Sequence, residues 1–169
     1  MLNFLYWNNL EDNIVKKKLL TLLLTACFIL GVTGCGENKE LTKYKNEMDK
    51  FFGNVEVIHN RMNTIDYEKD SALDELFVCL NDLDTEFKTM AQIEVPTEFS
   101  SIESLADEAS ENMTLAVEKY KEAYSHDSYN EYTAATADEY YARANKRFQY
   151  MIDILHGKMP EGENITVTE

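Results

Sequence analysis

From Leu41 onward the apolar residues recur at alternating steps of three and four. One run reads Leu41, Tyr44, Met48, Phe51, Val55, Ile58, Met62, Ile65, and a second reads Leu73, Leu76, Leu80, Leu83, Phe87, Met90. A third reads Phe99, Ile102, Ala106, Ala109, Met113, Ala116, Tyr120, Ala123, and a fourth Ala134, Ala137, Tyr141, Ala144, Phe148, Met151, Leu155. The mean step of about 3.5 is the seam of helices packed at a shallow left-handed crossing, and it differs from the two-residue alternation of a strand. The expected fold is therefore all-α: an antiparallel up-down-up-down four-helix bundle over residues 39–157. Each helix should run about 25 residues, or about 38 Å at 1.5 Å per residue.

The ends of the runs agree with their periods. Pro96 breaks any helix reaching it, and Thr97 is the expected N-cap of the third helix. Ser128-Tyr129-Asn130-Glu131 has the spacing of a capping box for the fourth. Gly157 lies just past the last apolar position, with Pro160 three residues on, as at many helix C-termini. The first turn, around Asp66 to Ser71, is marked by polar residues alone. Short connections force sequential helices to lie antiparallel. The third and fourth seams are alanine-rich where the first two carry large side chains, so helices three and four should approach closely. The competing architecture is a long helical hairpin that completes its core by dimerising, so the chain reads as a monomer or a homodimer. Residues 158–169 read as a polar tail that frays.

Ahead of the bundle the pattern changes. Lys16, Lys17 and Lys18 precede an apolar run of about fourteen residues, Leu19 to Val32, and then comes Thr33-Gly34-Cys35. A basic n-region, an apolar h-region and a small-residue cleavage site form a secretory signal. The run falls short of the roughly 20 apolar residues that a membrane-spanning helix needs. Val32-Thr33-Gly34-Cys35 resembles the lipobox of bacterial lipoproteins. That resemblance implies cleavage between Gly34 and Cys35 and a diacylglyceryl group, of palmitate type, on the Cys35 sulfur. It thus implies anchoring on the outer face of the cytoplasmic membrane. Two or more acyl chains hold durably where one does not. Residues 1–34 are then a signal peptide and 35–38 a lipidated tether. Residues 1–14 carry Phe4, Tyr6, Trp7, Glu11 and Asp12 ahead of the basic cluster, the wrong order for an n-region; Val15 is the expected true start. With its lipobox and acidic helical body the chain resembles small helical lipoproteins of Gram-positive bacteria.

Composition bounds the partners. At 169 residues the chain has room for one ordinary domain, and its net charge of −15 leaves no basic face for nucleic acid. Without residues 1–34 there remain 13 basic residues against 29 acidic, a net charge of −16. Such a domain is repelled by an anionic bilayer and attracts cationic peptides or proteins. With Cys27 in the signal and Cys35 lipidated, Cys79 stands alone, so no internal disulfide is expected.

Candidate chemistry is sparse. The chain has no GxGxxG, Walker-type loop, GxSxG, HExxH or CxxC motif, and only three histidines. Glu56-Val57-Ile58-His59 is an E-x-x-H, and Asp153-Ile154-Leu155-His156 is a near relative; di-iron bundles face two such motifs inward. With Val55 and Ile58 at positions a and d, Glu56 falls at b, His59 at e, Asp153 at f and His156 at b. The two motifs would also lie roughly 20 Å apart in height. They read as solvated faces, so no metal or other cofactor is expected. Cys79, at a g position, reads as a small half-buried hydrophobe. The clusters Asp82, Asp84, Glu86 and Asp107, Glu108, Glu111 read as solvated. Tyr67 in the first turn and Tyr124, His126, Tyr129 and Tyr132 around the third share one end, distal to the tether. They either cap the core or form a recognition surface. The expectation is a non-enzymatic, membrane-anchored binding module. The alternatives are a structural or assembly subunit, with Phe77, Val78 and Val117 as outward apolar positions, and less strongly a metal-binding carboxylate bundle.

Overall fold

The computed structural model describes residues 38–125 and 128–158. Four helices form an antiparallel up-down-up-down bundle: α1 (Lys39–Asn63), α2 (Ala72–Ala91), α3 (Ser101–Ala123) and α4 (Glu131–Leu155). Each begins and ends for local reasons. Asn38 caps α1, its side-chain oxygen accepting from the backbone N–H of Glu40 at 3.1 Å and of Leu41 at 3.3 Å. Glu40 in the first turn and Arg61 in the last complement the helix dipole, as Asp74 and Lys88 do in α2. Beyond α4, Gly157 takes φ +69, which only glycine adopts without strain.

Two caps differ from expectation. Thr97 does not cap the third helix: Thr97–Phe99 forms a single 3₁₀ turn, and α3 starts at Ser101 after Ser100, without a side-chain cap. Pro96 is the cause. It sits at φ −59, ψ 142, and its carbonyl accepts from Phe99 N–H at 2.8 Å, closing a tight turn before the helix opens. The capping box at Ser128 is also absent. Tyr124–Ser125 (β1) and Ser128–Tyr129 (β2) pair antiparallel, holding the chain extended up to Asn130. Asn130 then caps α4 by accepting from Thr133 N–H at 3.0 Å. α2, at 20 residues, is shorter than expected.

The core is closed by one chain. Phe51 of α1 packs edge-on to Phe87 of α2 and to Phe148 of α4, each at 5.3 Å between ring centroids, and Phe52 meets Phe148 at 5.2 Å. Such pairs add about 0.5–1.5 kcal/mol each beyond the area they bury. Opposite them the helices carry little bulk. Ala109, Ala116 and Ala123 of α3, with Ala137 and Ala144 of α4, have no accessible surface, and α3 and α4 run closest of all pairs. Large against small is how the layers interlock. Val117, expected to point outward, is buried at 3% exposure, because α3 lies between α2 and α4 and buries a wide stripe. Phe77 is half-buried, so Val78 alone of those three stays exposed. Cys79 is buried completely and not by half.

Polar pairs join neighbouring helices along the flanks. Arg61 reaches Asp82 at 2.5 Å, and Asn54 donates to Glu86 at 3.0 Å, tying α1 to α2. Thr114 donates to Asp84 at 2.6 Å, and Arg147 meets Glu108 at 2.5 Å, tying α2 to α3 and α3 to α4. The clusters expected to be free in solvent are thus partly spent on inter-helix bonds. Asn38 also donates to Glu98 at 2.9 Å, so the start of α1 and the α2–α3 connection share one end, the base.

Phe148→Ala should be the costliest single truncation, since three rings from two helices lose their partner. A loss of about 3–5 kcal/mol in urea unfolding is expected; a loss below about 1 kcal/mol would show that the layer is not the centre of the fold.

Candidate functional site

The opposite end, the tip, is where the sequence places its tyrosines. Ile65 and Asp66 leave α1 through a turn in which Asp66 accepts from Glu68 N–H at 3.2 Å. Tyr67 is folded back, its hydroxyl donating to the Met62 carbonyl at 3.4 Å. Across the tip the short β1–β2 pairing sets Tyr124 opposite Tyr129, with ring centroids 5.2 Å apart. Tyr120, one turn earlier, stacks on Tyr124 at 6.4 Å and donates its hydroxyl to Asp138 of α4 at 2.6 Å.

Burial raises the Tyr124 hydroxyl's pKa well above the ordinary phenol value, with Tyr129, Asp138 and Tyr67 adding to it. Tyr120 shifts the same way through burial and its bond to the Asp138 carboxylate. These phenols are therefore neutral hydrogen-bond donors at any physiological pH. Tyr67, Tyr124 and Tyr129 come together and close the last core layer, with Tyr124 at 7% exposure. Tyr132 does not join them: at 83% exposure it projects into water from the first turn of α4. His126 lies outside the described residues, as do Cys35 and the whole of 1–34. Sequence reasoning missed Tyr120 and Asp138 because a core tyrosine has the same period as any apolar residue.

The acid–histidine motifs do not converge. Glu56 is exposed while His59 is half-buried, and among the described residues no three His, Cys, Asp or Glu side chains are grouped to hold a metal. Asp153 and His156, expected outward, are also half-buried, their backbone serving the α4 terminus. His59 departs most from the expected solvated face. Its Nε2 is sealed from solvent without a hydrogen-bond partner, and burial lowers its pKa. Burial likewise raises the Cys79 thiol, with nearby Arg61 only partly offsetting it, so Cys79 is held as an inert thiol.

A second feature is electrostatic and spans two helices. α2 and α3 together carry eleven carboxylates against three lysines, whereas α1 and α4 carry eight against eight. Glu103, Asp107 and Glu111 line the exposed surface of α3 at steps of four. Like charges at that spacing repel and cost helix stability. A count of charge helix by helix reveals this asymmetry from sequence; a count over the whole chain hides it. Compared with known protein families, with curated proteins and with solved structures, the chain matches none.

Two outcomes follow for the tip and for His59. Tyr124→Ala should lower the melting temperature by several degrees, as loss of a buried aromatic does, while Tyr132→Ala leaves it unchanged; equal effects would contradict the cap. His59 has a folded pKa below its ordinary 6.5, so the unfolded chain takes up its proton first as pH falls. Stability from this site is complete above about pH 7.5 and declines through and below 6.5. The melting temperature of His59→Gln relative to the native chain should therefore rise between pH 7.5 and pH 5.5. A constant difference would show that the imidazole titrates as it does in the open chain.

Proposed function

We propose that the protein is a lipid-anchored extracytoplasmic module that binds a cationic protein or peptide and carries out no catalysis. The observation that carries this reading is Val32-Thr33-Gly34-Cys35 behind a basic and then apolar run, with three residues between Cys35 and the first helix. Three extended residues reach about 10 Å. A lipid on Cys35 would therefore hold the base, where Asn38 meets Glu98, close to the bilayer. The tyrosine-capped tip would stand a helix length away. Among the described residues no helix is long and apolar enough to cross a membrane.

The carboxylates of α2 and α3 support the choice of partner. Among the described residues Glu103, Asp107 and Glu111 have no ion-pair partner, and like charges at that spacing weaken the helix that bears them. A cationic partner docked on that face would relieve the repulsion and be steered to it from a distance. The tip, by contrast, spends most of its tyrosines on its own core, so this reading gives it a smaller part in recognition.

Intact mass of membrane-extracted protein tests the anchor. The expected species begins at Cys35 and carries a diacylglyceryl mass, and Cys35→Ser abolishes it. A chain retaining residues 16–34 overturns the reading. Photo-crosslinkers placed at Glu111 and at Asp49 of α1 test the partner face in whole cells. Adducts should form at position 111 in excess over position 49, and equal yields would contradict it.

A further inference from the structure

The two ends of the bundle are closed by different chemistry. At the tip the half-buried rim is tyrosine: Tyr67 and Tyr129 pack on the core, and Tyr67 donates its hydroxyl to the Met62 carbonyl. At the base the rim carries no hydroxyl. Leu41 of α1, Ile154 of α4, and Ile93, Val95 and Phe99 of the α2–α3 connection pack on the core with part of each side chain still exposed. Tyrosine suits an end that meets water, because ring and hydroxyl are both served. Isoleucine, valine and phenylalanine suit an end that meets an apolar phase.

Charge separates the ends in the same sense. Among the described residues of 60–75 and 120–134, at the tip, three basic side chains stand against seven acidic ones. Residues 38–43, 88–104 and 152–158, at the base, hold four lysines against five carboxylates, so this end is nearly neutral in a strongly anionic chain. Both carboxylates of the connection are also drawn to the start of α1. Glu94 pairs with the Lys43 ammonium at 2.9 Å, and Glu98 accepts from the Asn38 amide at 2.9 Å.

A bilayer is the apolar surface within reach. Three residues separate Cys35 from the first helix, a span of about 10 Å, so a diacylglyceryl group on Cys35 keeps the base at the height of the headgroups. Tethering also populates a contact that would be weak between free partners. We propose that the base of the bundle rests in the bilayer interface, with Ile93, Val95 and Phe99 in contact with lipid. The inference rests on the proposed anchor at Cys35, without which nothing keeps the base at the surface. A negative bilayer repels the domain as a whole, and the base is the end at which that repulsion is least.

The chain's one tryptophan, Trp7, falls in the signal, so a tryptophan placed in the base of the processed protein is a sole reporter. Lipidated Val95→Trp, reconstituted in vesicles of phosphatidylcholine and phosphatidylglycerol and floated with them, is compared with Tyr132→Trp at the tip. Brominated acyl chains should quench the emission of Val95→Trp by about twofold or more and leave Tyr132→Trp unchanged. Thr97→Trp, at an exposed position of the same connection, repeats the measurement without disturbing the core. Equal quenching of base and tip variants, or none in either, in protein that floats overturns the seated base and leaves the anchor standing. Protein that does not float overturns both. Base emission that is blue-shifted but unquenched shows a second copy covering this end, and overturns the proposal as well.

Discussion

The meeting of Phe51, Phe87 and Phe148 sets the dimensions of this bundle. Among the described residues the one cysteine, Cys79, is free, so the fold rests on its core. Three rings from three helices hold α1 at a distance from α4, while the alanines of α3 and α4 let those two backbones close up. The bundle is thus asymmetric, with one tight seam and one wide one. The registers of the flanking polar pairs, Arg61 with Asp82 and Glu108 with Arg147, follow from where that layer places each helix. Exposed pairs of this kind contribute little energy on their own. Their value lies in alignment.

Much of the fold was legible in the sequence because burial at positions a and d imposes a period that no turn chemistry can hide. All four runs became helices, and nearly every residue in them went to the core. The connections were harder to read. Thr97 and Ser128 have the right chemistry for N-caps, but Pro96 tightened one turn and the pairing of Tyr124 with Tyr129 extended the other. In both places a longer-range constraint overrode a local preference. Position e was misread for a related reason. A heptad wheel calls His59 peripheral, but in a wide seam between large rings a peripheral position can be sealed.

The tyrosines at the tip show how weak residue type is as a guide to role. Five residues were candidates for recognition, and the described ones split three to one. Tyr67, Tyr124 and Tyr129 complete the core, and Tyr132 points into water. A tyrosine's ring and hydroxyl serve a closed end as well as an open surface, and only the backbone path decides between them. Here the two-residue strand pairing sets Tyr124 against Tyr129. The carboxylates tell the opposite story: their arrangement by helix, and not their number, separates one side of the molecule from the other.

That separation makes the bundle an electric dipole across its width as well as an anion. Net charge governs how strongly the molecule is pushed from a negative sheet, whereas the transverse dipole governs which side it turns toward it. If the rod is tethered by its base as proposed, the dipole exerts no torque about its long axis while it stands upright, but it favours leaning with α1 and α4 toward the negative surface and α2 and α3 toward the fluid. The torque is largest at low ionic strength and fades once the Debye length, about 10 Å at 0.1 M salt, falls below the width of the bundle. The side on which the molecule leans would then be biased by salt, with no contact made or broken.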